Sequence, residues 1–177
     1  MLNHWSSLLT TDCNVIKVKN FIIYPIFRSG WTSLTSVASK TYTNKEIAMF
    51  DNINVLIRDP KDRFISGVNY YCQTNNLDVK KTWLLISKEK LIDRHFAPQF
   101  LWLMHLYKFY KGTITIKPFS AIREFTNVHK KKDQTKKIAI PLLKKFIEVD
   151  NKLMAHYHQT INLKTIIKKY KNVLSSS

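Results

Sequence analysis

Short apolar runs that alternate with helical patterns are the feature of this chain that most limits its fold. Residues 21–27 are apolar and rich in β-formers, residues 53–57 read as a second strand, and residues 113–117, after Gly112, read as a third. Apolar residues at helical spacing follow the first two runs. Because strands that alternate with helices usually pair in parallel, this order predicts an α/β fold, with a short parallel sheet between two helical layers.

Helix boundaries can be predicted around these strands. One helix begins near Trp31, and another begins after Asp59, a good N-cap that is followed by proline. A third covers about residues 80–92, and Pro98 opens a fourth, which ends before Gly112.

The chain of 177 residues has the size of one domain, and no linker divides it. We therefore expect residues 1–177 to form a single domain, with a cofactor-binding core at about 21–120 and a helical part at about 138–174. An amphipathic helix is predicted in the helical part, with an apolar face made of Leu163, Ile166, Ile167, Tyr170 and Leu174.

A net charge of +17 directs the search for function toward anions. Nucleic acid, an acidic membrane surface, a polyanionic glycan or a charged nucleotide would all suit such a field, and charge alone favours nucleic acid. Two cysteines predict no disulfide framework. We expect a cytoplasmic protein, because no segment is typical of a membrane span or a signal peptide. Residues 129–137 read as a basic loop, either solvated or covering a nucleotide.

Residues 24–36 place a strand, a tight turn and the start of a helix in succession. In that geometry, backbone N–H groups and a helix dipole converge on an anion site. Arg28 adds a permanent charge, Gly30 lets the backbone approach closely, and two hydroxyl residues follow. The Gly-Lys pair of the phosphate loops in nucleotide hydrolases is missing. An ordinary strand-to-helix turn remains the alternative.

Residues 55–70 form a second junction between a strand and a helix. Arg58 ends the strand, and an arginine and a serine hydroxyl on adjacent elements can hold a phosphate together. Four polar residues share one face of the helix by their spacing: Asp59, Arg63, Ser66 and Tyr70. The alternative is a capped helix in which Asp59 pairs with Arg63.

Together, these two segments resemble the cofactor-binding motifs of the sulfotransferases, which use 3′-phosphoadenosine 5′-phosphosulfate (PAPS) as donor. A third stretch, Asp93-Arg94-His95-Phe96-Ala97-Pro98-Gln99, is similar to a His-aromatic-x-Pro-Gln stretch of the carbohydrate sulfotransferases. The resemblance covers about residues 21–120. It implies a sulfotransferase-like fold of the phosphate-loop nucleotide-binding type, PAPS as the donor, no metal, and an acceptor hydroxyl for which a carbohydrate is one candidate.

The resemblance also implies roles for individual residues. Those that would bind the 5′-phosphosulfate are Arg28, Ser29, Gly30, Trp31, Thr32 and Ser33. Arg58 and Ser66 would bind the 3′-phosphate, and Arg63 would brace the site. Arg28 would also act in catalysis, by stabilising the phosphate that leaves.

The general base is the least determined residue. No histidine lies between Ser33 and Arg58, where the cytosolic members of the family often carry it. His95 is the favoured candidate, because a neutral imidazole accepts protons near neutral pH and this one falls in the third motif. The alternatives are that His95 only fastens its loop, or that a carboxylate such as Glu46 or Asp93 is the base.

Other candidate side chains are expected to be structural. His105, Trp83, Phe96 and Trp102 are predicted to lie in the core. His156 and His158 lack the acidic or cysteine partners that a metal site needs, so no metal site is predicted.

Two other function classes remain open. One is a nucleotide kinase with a degenerate phosphate loop, which would need magnesium and ATP. The other is a non-catalytic module that binds nucleic acid or heparin, with steep salt dependence and no preference for a 3′-phosphorylated nucleotide. The motifs favour the sulfotransferase, and no specific nucleic acid partner is expected.

Overall fold

A computed structural model describes residue 9 and residues 14–87, 91–126 and 143–175 of the chain. These residues form a mixed α/β domain around one six-stranded sheet. The strands are β1 (Val15–Val18), β2 (Phe21–Tyr24), β3 (Lys40–Tyr42), β4 (Asn52–Ile57), β5 (Thr113–Pro118) and β6 (Thr160–Asn162). The helices are α1 (Trp31–Thr35), α2 (Pro60–Thr74), α3 (Val79–Ser87), α4 (Gln99–Phe109), α5 (Ile122–Phe125), α6 (Leu143–Met154) and α7 (Leu163–Ser175), with 3-10 turns at Glu46–Met49 and Phe119–Ala121.

The three strands predicted from the sequence form the parallel centre of the sheet. The strand order is β3-β1-β2-β4-β5-β6, and β4 pairs in parallel with both β2 and β5. The edge pairs β1–β2, β1–β3 and β5–β6 are antiparallel, so the prediction of a wholly parallel sheet is wrong at both edges. The outermost strands β3 and β6 have three residues each and are mostly polar, which is common at sheet edges and leaves no apolar run to recognise.

The sheet separates two apolar cores, and β4 contributes to both because its side chains alternate between the faces. Ile53, Val55 and Ile57 lie in the larger core, together with residues of α2, α4, α6 and α7. Leu56 lies in the smaller core with residues of α1 and α5. Helices therefore cover both faces of the central strands, as the predicted layering requires.

Several predicted helix boundaries are confirmed. Asp59 caps α2, accepting a hydrogen bond of 2.9 Å from the backbone N–H of Asp62, and Pro98 immediately precedes α4. The helix expected over residues 80–92 is confirmed as α3 as far as Ser87, and residues 91 and 92, the last two of that prediction, are not helical.

The C-terminal helix α7 buries Leu163, Ile166, Ile167 and Tyr170, as its spacing predicts. The side chain of Leu174 and the basic loop at 129–137 lie outside the described residues. Within the part of the chain that the structure describes, no helix has the length and apolarity needed to cross a membrane.

Candidate functional site

A cleft of about 520 Å³ opens beyond the carboxyl ends of β2 and β4. Ligands of α/β sheets commonly bind in such a place, and known small-molecule pockets span about 300–1,000 Å³. The residues that line it are Phe27, Arg28, Gly30, Trp31, Thr32, Ser33, Arg58, Tyr70, Arg94, His95 and Phe119. These include three arginines and no carboxylate, so the cleft is suited to an anion.

The turn that follows β2 has an unusual backbone. Arg28 has φ +64° and Gly30 has φ +91°, and both values fall in the left-handed region. The φ of Gly30 would strain any other residue, and a Cβ atom there would also lie 2.4 Å from Cδ1 of Ile122, so the end of that side chain would have to move. The backbone of residues 30–33 is thereby brought to the cleft.

The helix that begins at this turn is too short to have a large helix dipole. α1 has five residues, so few peptide dipoles are aligned and the expected helix-dipole contribution is small. Its first N–H groups nevertheless have no acceptor within the helix, and no side chain caps them. Local N–H donors, rather than a macrodipole, are what this turn offers to an anion.

Arg28 is held by the serine of the second motif. Its guanidinium donates from Nε and Nη2 to Oγ of Ser66, at 3.0 Å for Nε, and its Cζ lies 5.0 Å from the centre of the Tyr70 ring. Ser66 is only 2% exposed and does not line the cleft. The structure therefore places Ser66 behind Arg28, and not on the surface where a 3′-phosphate would contact it.

Arg58 reaches the same cleft from the end of β4. Its Nη1 donates to the backbone carbonyl of Arg28 at 3.3 Å, and its Cζ lies 5.3 Å from the centre of the Phe119 ring. Two cationic side chains from junctions thirty residues apart in sequence are thus adjacent. Phe119, on the 3-10 turn after β5, is a lining residue that the motifs did not indicate.

A buried amide connects the two junctions. Oε1 of Gln99 accepts hydrogen bonds from Oγ of Ser29 at 3.0 Å and from the backbone N–H of Arg58 at 2.9 Å. Its Nε2 donates to the backbone carbonyl of Arg58 at 2.9 Å. Gln99 and Ser29 are both fully buried, so Ser29 supports the turn without lining the cleft.

Asp150 of α6 supports that amide from below. Its carboxylate accepts hydrogen bonds from the backbone N–H groups of Gln99 and Phe100, at 2.8 and 2.9 Å, and so caps α4 from another helix. Burial raises the pKa of Asp150, while the charge of Arg63 and these N–H groups oppose the shift. The one sequence feature that could have indicated this role is that Asp150 is an acidic residue between apolar positions of α6.

Arg63 braces the site from inside the protein. It is 1% exposed, and it donates to the backbone carbonyls of Phe27, at 3.0 Å, and Ala97. It bonds to these carbonyls and not to the Asp59 carboxylate, so the suggested Asp59–Arg63 pair is wrong. Burial lowers the pKa of Arg63 to about 10; Arg58 and Arg28 act in the same direction, and Asp150 opposes them.

His95 lies in the cleft as one half of a carboxylate–imidazole pair. Its Nδ1 is 2.6 Å from Oδ1 of Asp93, which also accepts the backbone N–H of His95 at 2.8 Å. The imidazole stacks on Phe27 with ring centres 5.2 Å apart, and its side chain is 20% exposed. A proton on Nδ1, shared with the carboxylate, leaves the lone pair on Nε2 to accept another.

The segment that carries His95 packs closely on α2. A Cβ atom on Gly67 would lie 2.3 Å from the carbonyl oxygen of His95, so only glycine allows this approach. Glu46, an alternative base, is outside the cleft and is bound by Lys40 and Thr43. Those bonds, first of all the one from the Thr43 N–H, lower its pKa to about 2, which makes it a poor base.

The core positions predicted for His105, Trp83, Phe96 and Trp102 are confirmed. His105 is buried with its Nδ1 3.2 Å from the Tyr24 hydroxyl, and Trp83, Phe96 and Trp102 lie in the core. The ring nitrogens of His156 contact Gln159 and Tyr170. Among the described residues, no group of three His, Cys, Asp or Glu side chains is placed to hold a metal ion.

Comparison of this chain with known proteins gives no further guide to the site. No protein-family model matches the sequence, and no curated protein or solved structure shows significant similarity to it. The functional proposal therefore depends on the cleft and on the motifs that line it.

Proposed function

We propose that this protein is a sulfotransferase that moves a sulfuryl group from PAPS to an acceptor hydroxyl, with a carbohydrate hydroxyl as the first candidate. One observation carries the proposal. Three separate segments that resemble sulfotransferase motifs line a single cleft: Arg28 with residues 30–33, Arg58, and residues 94–95. The parallel β2–β4–β5 centre, with a tight turn after β2, supports our proposal of a sulfotransferase-like fold related to the phosphate-loop nucleotide-binding domains.

The donor carries negative charge at two places, and the cleft offers a cation for each. Arg28 and the backbone of residues 30–33 would hold the 5′-phosphosulfate, and Arg58 would hold the 3′-phosphate. Arginine suits both sites because its planar fork of donors matches phosphate oxygens. Aromatic rings in the lining offer surfaces on which adenine can stack: Trp31, Tyr70 and Phe119.

The buried residues behind the cleft would act by position. Ser66 holds the Arg28 guanidinium, Gln99 fixes the distance between the two junctions, and Arg63 ties Phe27 to Ala97. Donors fixed in advance need no reorganisation when charge develops on a ligand, which is the main source of electrostatic catalysis. This arrangement suits a reaction in which the protein chiefly positions and stabilises charge.

In the proposed reaction, the acceptor oxygen attacks sulfur and the bond from sulfur to the bridging phosphate oxygen breaks. The hydroxyl proton passes to Nε2 of His95, while Asp93 keeps the imidazole in the required tautomer. Arg28 stabilises the charge that appears on the leaving phosphate. The products are a sulfate ester, adenosine 3′,5′-bisphosphate and one proton.

A direct test incubates the purified protein with PAPS and a panel of sugars, oligosaccharides and phenols, and measures the adenosine 3′,5′-bisphosphate released. We expect release that depends on an acceptor and persists in the presence of a chelator. Consumption of ATP that requires magnesium would instead indicate a kinase. Binding to polyanions with a steep salt dependence and no nucleotide preference would indicate a non-catalytic module.

A further inference from the structure

Helix α3 carries apolar side chains toward the interior and also toward the surface. Trp83 and Ile86 are buried against the core, whereas Leu84 and Leu85 are 54% and 42% exposed. Leu77 and Val79, where the helix begins, are exposed as well. The outer face of α3 therefore carries two exposed leucines beside its two lysines, and such leucines suggest a second contact.

The C-terminal helix α7 does not expose apolar side chains in this way. Its buried positions are apolar, and its exposed positions are polar: Lys164, Thr165, Lys168, Lys169 and Lys171. By contrast, four of the seven large hydrophobic side chains exposed in the described chain fall between residues 77 and 85. The apolar surface is therefore concentrated at α3 and the turn before it.

This surface is held in place by local hydrogen bonds. Asp78 caps the helix, accepting the N–H of Lys81 at 2.8 Å, and its backbone carbonyl accepts the hydroxyl of Thr82 at 2.8 Å. The N–H of Leu77 donates to the carbonyl of Cys72 at 2.9 Å. These bonds anchor the start of the helix from which the leucines project.

The charges beside the leucines indicate the kind of partner. Lys80 and Lys81 are exposed on the same short helix, and Asp78, which acts as the cap, is the single carboxylate among residues 77–87. Lysine is depleted at protein interfaces, whereas lysines flanking exposed leucines suit a bilayer with anionic headgroups. The net charge of +17 adds long-range attraction to such a surface.

We propose that the surface formed by residues 77–85 docks this protein on an anionic lipid bilayer. The leucines enter the boundary between headgroups and acyl chains, and the two lysines contact the headgroups. In this arrangement α3 lies on the bilayer surface, and no helix in the described ranges is long and apolar enough to cross the bilayer. This inference stands independently of the proposed reaction.

Sedimentation with vesicles tests the proposal, using phosphatidylcholine alone and phosphatidylcholine mixed with phosphatidylserine. We expect binding to the mixed vesicles that falls at least about tenfold when Leu84→Ser and Leu85→Ser are combined, because most of the inserted apolar area is lost. Combined Lys80→Gln and Lys81→Gln should weaken binding by about fivefold or more. Matched controls are Met49→Ser, at an exposed methionine elsewhere, and combined Lys168→Gln and Lys169→Gln on α7.

Three results would overturn the proposal. The first is an absence of binding to the mixed vesicles. The second is an equal loss for the two lysine pairs with none for the leucine pair, which would mean diffuse attraction by the net charge. The third is a wild-type dimer that the leucine variant abolishes without any vesicle binding, which would make this surface an interface between copies. Circular dichroism of each variant checks that it is folded.

Discussion

The cleft has two parts that are built differently. Its floor is formed by residues 28–33 and Arg58, which buried hydrogen bonds from Gln99 join from behind. Its wall is formed by residues 93–95, where a carboxylate and ring stacking hold a partly exposed imidazole. The floor is fixed by several bonds that water does not reach, which suits a donor of constant shape. The wall faces solvent, which suits an acceptor that enters and leaves.

Removing the imidazole of the wall is expected to have the largest effect. His95→Ala should lower turnover by about 10²–10⁴, the usual loss for a general base. Affinity for adenosine 3′,5′-bisphosphate and the midpoint of thermal unfolding should stay close to wild type, because the floor is untouched. Steady-state kinetics, calorimetry and a melting curve measure the three quantities.

A matched change separates the role of the imidazole from that of its carboxylate partner. Asp93→Asn keeps the side-chain shape and should cost less turnover than His95→Ala, because the imidazole is still present. If His95→Ala melts early and loses nucleotide binding in step with activity, His95 only fastens the wall, and the base is another group.

Removing the buried hydrogen bonds of Gln99 should lower both the stability of the protein and its affinity for nucleotide. Gln99→Met keeps the length of the side chain but leaves buried groups of Ser29 and Arg58 without partners, at a cost of about 3 kcal/mol in the free energy of unfolding. Urea denaturation measures it. Gln73→Met, at an exposed glutamine of α2, is the matched control and should change stability by less than about 0.5 kcal/mol.

The same variant tests whether the floor sets nucleotide preference. Gln99→Met should narrow the difference in affinity between adenosine 3′,5′-bisphosphate and adenosine 5′-phosphate, because the distance between the two junctions is no longer fixed. An unchanged ratio of affinities, alongside lower stability, would show that Gln99 is a packing residue with no part in positioning the floor.

The contact between the wall and α2 can be disturbed at Gly67. Gly67→Ala would place a Cβ 2.3 Å from the carbonyl oxygen of His95, so the wall segment must shift. Overpacking of this kind costs about 1–3 kcal/mol in unfolding free energy. We expect turnover to fall more than nucleotide affinity. Unaltered turnover in a folded variant would contradict the role of residues 93–95 in catalysis.

The smallest expected effect concerns the serine behind Arg28. Because Ser66 contacts Arg28 and not the cleft surface, Ser66→Ala should weaken both nucleotides alike, by about tenfold at most, through a less well held guanidinium. Calorimetry with the two nucleotides measures both losses. A loss of affinity confined to the 3′-phosphorylated nucleotide would indicate that Ser66 contacts that phosphate directly.

The sequence predicts the centre of the fold well, because β2 and β4 contain runs of apolar residues and β5 contains the β-branched stretch Thr-Ile-Thr-Ile. Clustering of Arg28 and Arg58 also follows, since the carboxyl ends of neighbouring parallel strands meet at one edge. The antiparallel strands at the edges are short and carry no such pattern.

What the sequence does not reveal depends on contacts between distant segments. Gln99 and Asp150 are 51 positions apart, and no local pattern announces their hydrogen bond. The burial of Ser66 follows from the direction of the Arg28 side chain, which departs from a left-handed backbone position. Periodicity shows which face of α2 carries Ser66, but it does not show which side chain contacts Ser66.

In the proposed reaction, the floor recognises a nucleotide phosphorylated at both the 3′ and 5′ positions. Titration calorimetry of the wild type and of Arg58→Ala, with adenosine 3′,5′-bisphosphate and adenosine 5′-phosphate, measures this recognition. The wild type should bind the bisphosphate at least about tenfold more tightly, and Arg58→Ala should cost about 1.5–3 kcal/mol for the bisphosphate and little for the monophosphate. Equal affinities in the wild type, or equal losses in the variant, would contradict the proposed donor site.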